Sequence, residues 1–558
     1  GNGTVIEGNF IGGSGLANRL GVSIFASGVL VGGSTLVSRN IIIGNTRFGV
    51  AMTEPASNNF VQNNYIGLDN FANPVGNGES GVSVFRSSNN TIGGLSSNVR
   101  NVISSNGQLI LGGLDGSGIS VLGDLVAQSP GNKIQGNYIG TDPNGTFAQP
   151  NVSHGVRIFG AINTTIGGGA AGAANLISGN TLDGVNITGA GAMTNAVRGN
   201  TIGLDITRVN DLGNNRDGVA ISGVADNVVG GTAAGEGNWI AGNNQFGVQI
   251  SGAGASNNTV AGNMIGFNFV GAARPQSDGV RITSSNNTVG GTTAGARNYI
   301  AGHPQFGIAV AFSSGNQILG NHIGLTNTGA SLGNSNGVFI QDATNNSVGG
   351  TAAGAGNVIS KNNFGVRLII VGSPTTNNLI QGNMIGTDPT GMIAMGNGSQ
   401  GVLMQGADNN TVGGTTAAAR NIISGNAGPG VSLQSSSKNN IVQGNYIGTK
   451  ADGLSSLQNQ TGINIDSSGS TGNMIGGTAT GAGNVISGNL QTGIQLSALT
   501  NNNRIEGNIV GLNANGNAPI PNSNGIVLFD RANTNTIGGS AANAGNVISG
   551  NVNSGIVL

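Results

Sequence analysis

Ionisable side chains are scarce in this sequence, and one stretch concentrates them. The 558 residues include 20 Lys and Arg, 21 Asp and Glu and three His, and the net charge is −1. Neighbouring carboxyls and cations are the residue types that general acid–base chemistry requires. The densest such group is Asp205, Arg208, Asp211, Arg216, Asp217 and Asp226. We expect a solvated charged loop here, and the sequence predicts no catalytic residue.

A recurrent acidic slot raises the question of calcium binding or catalysis. The motif I-G-x-D carries Asp in some copies and Asn in others, namely Asp69, Asp142, Asp205, Asp388, Asn268, Asn327 and Asn513. Asx turns accept either residue, whereas a carboxylate catalyst does not. We therefore predict turns. The segment G-G-T-A-A-G-A-G-N lacks the aspartate of calcium-binding nonapeptides, so no calcium roll and no cofactor are predicted.

The three histidines give no sign of a metal site. His154, His303 and His322 are in non-equivalent or widely separated parts of the sequence. The segment H-G-V-R-I at His154 has no acidic partner in its neighbourhood. We expect each histidine to be a surface or turn residue and not half of a metal pair.

The composition excludes several classes of protein. The chain has 105 Gly and only 7% charged residues, whereas ordinary domains have about 25% charged residues. Its 37% hydrophobic content argues against disorder. The near-zero net charge offers no electrostatic basis for binding nucleic acid. No apolar run is long enough to insert into a membrane, and the absence of Cys rules out disulfides and thiolate sites.

The sequence is built from a repeat. Gly-Gly pairs recur at intervals of 59 to 74 residues, at Gly32, Gly93, Gly167, Gly230, Gly290, Gly349, Gly413, Gly476 and Gly538. Each interval holds two variants of one pattern: N-x-[IV]-x-G, then N-x-I, then G-[VI]-x-[ILVM]. The unit is therefore about 31 residues long and occurs in 18 copies.

The repeat predicts three short strands per copy. Its apolar residues alternate with polar ones, which is a strand period. The N-x-I slot holds 17 Ile and one Val, as expected of a column stacked on itself. A propeller would need antiparallel hairpins and repeats of about 40–50 residues. The sequence thus predicts an all-β fold, a single right-handed parallel β-helix of about 18 coils, with Asn side chains forming ladders between coils.

The pattern N-x-I-x-G-N-x-I followed by G-I-x-I resembles the right-handed parallel β-helix repeats of the pectate-lyase-like superfamily. It is most similar to the Gly/Asn-rich kind in large secreted or surface bacterial proteins. The resemblance implies the fold and its handedness over the whole chain. It leaves function open, because the superfamily contains lyases, hydrolases, tailspikes, adhesins and stalks. Its enzymes carry their acidic residues and an Arg or Lys base on or beside the first strand, whereas the acidic group here lies between the second and third strands.

One outward slot of the repeat is unusually apolar. The variable residue of N-x-I points away from the buried Ile, and all four Tyr and the only Trp occupy it. Candidates for contact with a partner or a glycan are Tyr65, Tyr138, Trp239, Met264, Tyr299, His322, Met384 and Tyr446. The outward slot of the third strand instead resembles an ordinary solvent-facing mixture. Two accounts remain open for this stripe: the chain's own loops cover it, or a partner docks on it.

The regularity of the repeat favours a structural or interaction protein over an enzyme. We expect an extracellular or cell-surface stalk, filament, adhesin or envelope-assembly component, with other subunits or copies of itself as partners. The alternative is a polysaccharide lyase or glycoside hydrolase. We expect one continuous domain over residues 1–558. The sequence begins before a first strand and ends on a completed third strand, so we also expect a portion of a longer chain, or ends covered by other subunits.

Overall fold

The structure is a computed structural model that describes residues 3–13, 15–108, 115–124 and 126–558. The chain divides into two compact units, residues 1–284 and 285–558. The described residues contain no α-helix, and no helix among them could cross a membrane. Four short 3₁₀ turns occur, at Leu36–Ser38, Ser97–Val99, Ala294–Ala296 and Ala417–Ala419. The expectation of one continuous domain stays a prediction.

The first unit contains nine coils, numbered 1 to 9 along the chain, each with three strands. The first strands are Val5–Ile6, Leu30–Gly32, Phe60–Gln62, Thr91–Gly93, Lys133–Gln135, Thr165–Gly167, Ala196–Arg198, Val228–Gly230 and Thr259–Ala261. The second strands are Phe10–Gly12, Ile41–Ile43, Tyr65–Ile66, Val102–Ile103, Tyr138–Ile139, Leu176–Ile177, Thr201–Ile202, Trp239–Ile240 and Met264–Ile265. The third strands are Val22–Ile24, Val50–Thr53, Val82–Phe85, Ile119–Leu122, Val156–Phe159, Val185–Thr188, Val219–Ser222, Phe246–Ser251 and Asp278–Ile282.

The second unit contains coils 10 to 18 of the same design. The first strands are Thr288–Gly290, Gln317–Leu319, Ser347–Gly349, Leu379–Gln381, Thr411–Gly413, Ile441–Gln443, Met474–Gly476, Arg504–Glu506 and Thr536–Ile537. The second strands are Tyr299–Ile300, His322–Ile323, Val358–Ile359, Met384–Ile385, Ile422–Ile423, Tyr446–Ile447, Val485–Ile486, Ile509–Val510 and Val547–Ile548. The third strands are Phe306–Ala311, Asn336–Gln341, Phe364–Ile369, Val402–Gln405, Val431–Gln434, Ile463–Ile465, Thr492–Leu496, Asn524–Leu528 and Ile556–Val557.

Within each unit, strands pair in parallel with the equivalent strands of adjacent coils. In coils 3 to 5, for example, Ile66 is opposite Ile103, and Ile103 is opposite Ile139. These side chains are fully buried. Because identical residues are stacked in register, each coil presents the same apolar surface to the next. The predicted right-handed parallel β-helix of about 18 coils is confirmed.

Asparagine ladders connect the coils inside the fold, as predicted. Asn137 Nδ2 donates to Asn175 Oδ1 at 3.1 Å, and Asn175 Nδ2 donates to Asn200 Oδ1 at 2.9 Å. The backbone N–H of each Asn donates to the same oxygen of the next coil. An amide is suited to this position because it donates and accepts at once. Each of these buried amides is therefore hydrogen-bonded to its counterpart one coil away.

Candidate functional site

The aromatic stripe on the second strands lies under loops of the chain itself. Tyr138, Trp239 and His322 are buried, and Tyr65, Met264, Tyr299, Met384 and Tyr446 are half-buried. In many odd-numbered coils, the turn after the second strand folds back on itself in a segment that we call an arm. Antiparallel bridges close the arms, as between Thr141 and Ala148 and between Thr449 and Ser456.

The arms lie directly over the stripe. Gly145, in the arm of coil 5, has φ +70°, and a Cβ there would lie 3.1 Å from Tyr138 Cε2. Gly453, in the arm of coil 15, has φ +69°, and a Cβ would lie 2.7 Å from Tyr446 Cε2. Glycine is required at these positions because the backbone is left-handed and approaches the ring closely.

Arginine side chains stack on the remaining faces of the rings. The guanidinium carbons of Arg39, Arg100 and Arg420 each lie 4.1 Å from a tyrosine ring centre, those of Tyr65, Tyr138 and Tyr446 respectively. Arg208 lies 5.8 Å from the Trp239 ring, and Phe267 and Phe269 are each 5.8 Å from that ring. Cation–π contacts of this kind cover the ring faces with a charged group, so less apolar surface is exposed.

This geometry agrees with one of the two possibilities that the sequence leaves open, namely that the chain's own loops cover the stripe. Burial and the arm contacts leave little of the stripe free. Contact of these residues with a partner or a glycan stays a prediction.

Replacement of Tyr138 tests the structural role of the stripe. Tyr138 packs against Leu68, Val102 and Leu176, so Tyr138→Ser should lower the free energy of unfolding by about 3 kcal/mol. Denaturation by urea, followed by circular dichroism, measures the change. Leu490→Ser is the control, because Leu490 is exposed. Equal stability of the two variants would contradict the conclusion that Tyr138 is packed beneath the chain's own loops.

The acidic slot forms turns, as predicted. Asp69 Oδ1 accepts the N–H groups of Phe71 and Asn73 at 2.8 Å each, and Asp142 caps its arm in the same way. One assignment was wrong by a residue. In coil 11 the slot is Thr326 and not Asn327, since Thr326 Oγ1 accepts the N–H of Ala330 at 3.2 Å.

The six ionisable residues between 205 and 226 do not form one site. Asp205 caps its own arm, and Asp211 pairs with Arg274 at 3.1 Å. Asp226 lies after the third strand of coil 7, and its predicted place before that strand was wrong. Only Asp217 and Arg216 join a cluster, and their partners come from other coils.

That cluster is a column of ionisable residues just before three successive third strands, in coils 5, 6 and 7. It consists of His154, Asp183 and Asp217, with Arg216 and Asn186 beside them. His154 Nδ1 lies 3.1 Å from Asp183 Oδ2 and 3.3 Å from the Asp183 backbone nitrogen. A protonated Nδ1 donates to the carboxylate, and an unprotonated Nδ1 accepts the N–H.

The two carboxyls are held by specific hydrogen bonds. Asp183 Oδ1 accepts the Asp217 N–H at 3.2 Å, and Asp183 Oδ2 accepts from Asn186 Nδ2 at 2.9 Å. Asp217 Oδ1 accepts the Phe246 N–H at 3.0 Å. Among the described residues, Asp217 Oδ2 has no hydrogen-bond partner although it is buried. Both residues are 0% exposed.

The surroundings shift the pKa values of the two carboxyls in opposite directions. Burial raises the pKa of Asp217 to about 7, and the negative charge of Asp183 adds to this effect. Burial acts on Asp183 as well, but His154, the Asp217 N–H and Arg216 outweigh it and hold the pKa of Asp183 below its usual value. Near neutral pH, one carboxyl is therefore charged while its neighbour titrates, which is the pattern of an acid–base pair.

The histidines match the sequence-based expectation only in part. His154 and His303 lie between a second and a third strand, as the expectation of a surface or turn residue allows, although His154 has an acidic partner and both are largely buried. His322 is buried within the second strand of coil 11, so for His322 the expectation was wrong. Burial, together with Arg297, lowers the pKa of His322 to about 4. In the part of the chain that the structure describes, no three His, Asp or Glu side chains are grouped to bind a metal.

Sequence reasoning missed Asp183, although a signal for it exists. Asp183 precedes Gly184-Val185 as His154 precedes Gly155-Val156, so an alignment of the residue before G-V would have shown the column. The partner lies in the next coil, and a search along the chain therefore overlooks it.

The outward slot of the third strand is less exposed than expected. Ala51, Ser83, Ser120 and Ala220 are buried, so the expectation of an ordinary solvent-facing mixture was wrong for them. Side chains of adjoining coils bond across this face: Ser80 Oγ lies 2.9 Å from Ser120 Oγ. In coils 1 to 4 the same face holds a groove of about 360 Å³, lined by Leu20, Phe25, Phe48, Phe85, Leu122 and Arg47 among others.

Comparison with known proteins finds similarity to solved structures only. No family model and no curated protein sequence matches the chain. The A-module of a mannuronan C-5 epimerase of Azotobacter vinelandii is 14% identical with a TM-score of 0.33, over 74% of this chain and 85% of that one. A periplasmic alginate epimerase is 14% identical with a TM-score of 0.36, over 74% and 76% of the two chains. The Dettilon tailspike protein is 17% identical with a TM-score of 0.27, over 73% and 62%. These values carry no argument about function. The fold itself follows from the strands of this chain and their parallel register: the chain is a right-handed parallel β-helix.

Proposed function

We propose that the chain is a structural or interaction protein, an extracellular or cell-surface β-solenoid that serves as a stalk, filament, adhesin or envelope-assembly component. Its partners are other subunits or copies of itself, or a surface glycan. The proposal is supported above all by the burial of Asp183 and Asp217. These two carboxyls are fully enclosed and accept hydrogen bonds from backbone groups, so they do not face a substrate.

The asparagine ladders support the same proposal. They pass through coils 5, 6 and 7 without interruption, beside the ionisable column. A catalytic site in a repeat protein generally departs from the repeat, because reacting groups must reach the substrate. Here the ionisable residues change while the framework around them stays regular.

A polysaccharide lyase or glycoside hydrolase is the second candidate. It is favoured by one observation, the opposite displacement of the pKa values of Asp183 and Asp217. Such a pair could supply a general base and a general acid. For this to occur, the two buried carboxyls would have to become accessible to solvent.

An activity assay distinguishes the two candidates. The protein is incubated with polymannuronate, polygalacturonate and a neutral glucan, and unsaturated products and new reducing ends are measured. We expect no turnover above that of buffer. Turnover that is lost in Asp217→Asn but kept in Asp452→Asn, a control at an exposed carboxyl, would overturn the proposal in favour of the enzyme.

A further inference from the structure

Asn-Gly pairs occur eight times in the sequence, and the fold places them in three different settings. They begin at Asn2, Asn77, Asn106, Asn144, Asn336, Asn397, Asn515 and Asn524. Asn2 lies outside the described residues. Asparagine followed by glycine is prone to deamidation, because a glycine without a side chain lets its backbone nitrogen approach the Asn side chain. The settings of the other seven pairs therefore decide which of them react in the folded chain.

Three of the pairs begin at asparagines of a ladder. Asn77, Asn106 and Asn397 are 0 to 1% exposed. Asn77 Oδ1 accepts the Asn45 side-chain amide at 2.9 Å, and Asn77 Nδ2 donates to Asn106 Oδ1 at 2.9 Å. The backbone nitrogen of Gly78, which is the atom that would attack, donates to Asn45 O at 2.8 Å. Deamidation here requires the coil to open and all of these bonds to break.

Two further pairs belong to the sheet of third strands. Asn336 and Asn524 are the first residues of their strands. Asn336 is buried and Asn524 is half-buried, and Gly525 donates its N–H to Ser554 O at 2.9 Å. Both strands pair with the equivalent strands of the coils on either side. This pairing keeps the backbone extended and the glycine nitrogen within the sheet.

The remaining two pairs, Asn144-Gly145 and Asn515-Gly516, lie in the arms of coils 5 and 17. Both asparagines are exposed, and in the described part of the chain neither side-chain amide forms a hydrogen bond. Gly145 and Gly516 have φ +70° and +69°. Each glycine nitrogen donates to the carbonyl three residues earlier, at 3.0 and 2.8 Å respectively. Such a turn at an exposed loop tip opens more easily than a coil does.

We propose that Asn144 and Asn515 are modification sites, at which the folded chain deamidates through a succinimide. The backbone nitrogen of the following glycine bonds to the side-chain carbonyl carbon of the asparagine, and the bond from this carbon to the amide nitrogen breaks. The glycine nitrogen gives up its proton, and the amide nitrogen takes up a proton and leaves as ammonia. Water then opens the five-membered ring at either carbonyl and gives Asp or isoAsp. In isoAsp the main chain passes through the side-chain carbons and is one methylene longer.

The two sites differ in what lies beneath the arm. A Cβ at Gly145 would lie 3.1 Å from Tyr138 Cε2, whereas a Cβ at Gly516 would meet no atom of the described residues within 4 Å. The carbonyl of Gly145 also accepts the Ile206 N–H of the next arm at 3.0 Å. A longer main chain at Asn144 therefore displaces a backbone that packs on a buried ring and holds a second arm. Modification of Asn144 should loosen the cover over Tyr138, and modification in the arm of coil 17 should leave the fold unchanged.

Peptide mapping by mass spectrometry tests the two sites. The folded protein is kept in mildly alkaline buffer, and the conversion of each Asn-Gly pair to Asp or isoAsp is measured over time. We expect conversion at Asn144 and Asn515 to be at least about tenfold faster than at the three ladder asparagines, since the buried pairs react only after local opening. In guanidinium chloride, which unfolds the chain, all these pairs should convert at similar rates.

Matched variants test the consequence for the fold. Asn144→Ser and Asn515→Ser each remove one site and leave the other, and both replacements are at exposed positions. After the same incubation, the unfolding midpoint in urea should fall for the wild type and for Asn515→Ser. It should stay at its starting value for Asn144→Ser. Fresh samples of all three proteins should have the same midpoint, because the replaced side chains are exposed.

Two results would overturn the modification sites. One is conversion of a ladder asparagine as fast as that of Asn144 in the folded protein. The other is a folded protein in which Asn144 and Asn515 stay intact while the unfolded chain is converted. An incubated wild type that converts at Asn144 and keeps its midpoint would contradict the loosening of the arm. The turnover assay tests the proposed function separately, so the two failures are distinguishable.

Discussion

Replacement of Asn200 by Ala should lower the free energy of unfolding by about 5 kcal/mol. Asn200 is fully buried in coil 7. Its Nδ2 donates to Ile166 O at 2.9 Å and to Asn238 Oδ1 at 3.1 Å. Its Oδ1 accepts the backbone N–H of Asn175 at 3.1 Å and Asn175 Nδ2 at 2.9 Å. Four hydrogen bonds therefore disappear with one side chain.

The cost comes from the groups that are left behind. Without Asn200, two donors of Asn175 and the carbonyl of Ile166 lose partners inside the fold. An unsatisfied buried polar group costs about 1–3 kcal/mol. In a solenoid each coil contacts only its neighbours, so the damage should be concentrated in coils 6 to 8.

Hydrogen exchange and urea denaturation measure this effect. Amide protection should fall most in coils 6 to 8, and the denaturation midpoint should shift downward. Asn215→Ala is the matched control, since Asn215 belongs to the same coil but is exposed. Equal midpoints for the two variants would show that the ladder contributes little to stability.

The sequence predicted those features that depend on one coil resembling the next. The Ile column and the Asn ladders are of this kind, because each residue contacts the equivalent residue of the next coil. Ile103 meets Ile66 and Ile139 for this reason. Any residue that stacks well on itself is repeated, so a count over aligned copies finds it.

The features that escaped prediction join unlike residues of different coils. Arg100 stacks on Tyr138, 38 residues further along the chain, and His154 meets Asp183 across a coil boundary. The arms, too, fold over side chains that the repeat alone shows as outward-facing. Their contacts follow from the length and path of each turn, and a column of aligned residues does not contain that information.

The free energy of unfolding should depend on pH through Asp217. The folded state raises the pKa of this carboxyl from 3.8 to about 7, so it binds the proton more tightly than the unfolded chain does. Stability is therefore greatest below the unfolded pKa and declines as pH rises to about 7, above which it is constant. The decline is at most about 4 kcal/mol, since one pKa unit corresponds to about 1.4 kcal/mol.

Asp183 acts in a different range of pH and does not obscure this effect. Its pKa is lowered in the folded state, so the stability that it contributes is present above the unfolded pKa and is lost only as pH falls below it. His154 and Arg216 face Asp183 from the coils on either side. Between about pH 4 and about pH 7, the difference between wild type and an Asp217 variant therefore isolates Asp217.

Asp217→Asn should remove the decline in the free energy of unfolding between about pH 4 and about pH 7. An amide does not ionise, and it has the same shape as the protonated acid. Urea denaturation should give similar stabilities for the variant and the wild type near pH 4. At about pH 8 the variant should be more stable, by up to about 4 kcal/mol. Asp452→Asn, at an exposed carboxyl, should follow the wild type at every pH. Parallel curves for the wild type and Asp217→Asn would mean that Asp217 ionises freely and that the enclosed carboxyl pair does not control its proton.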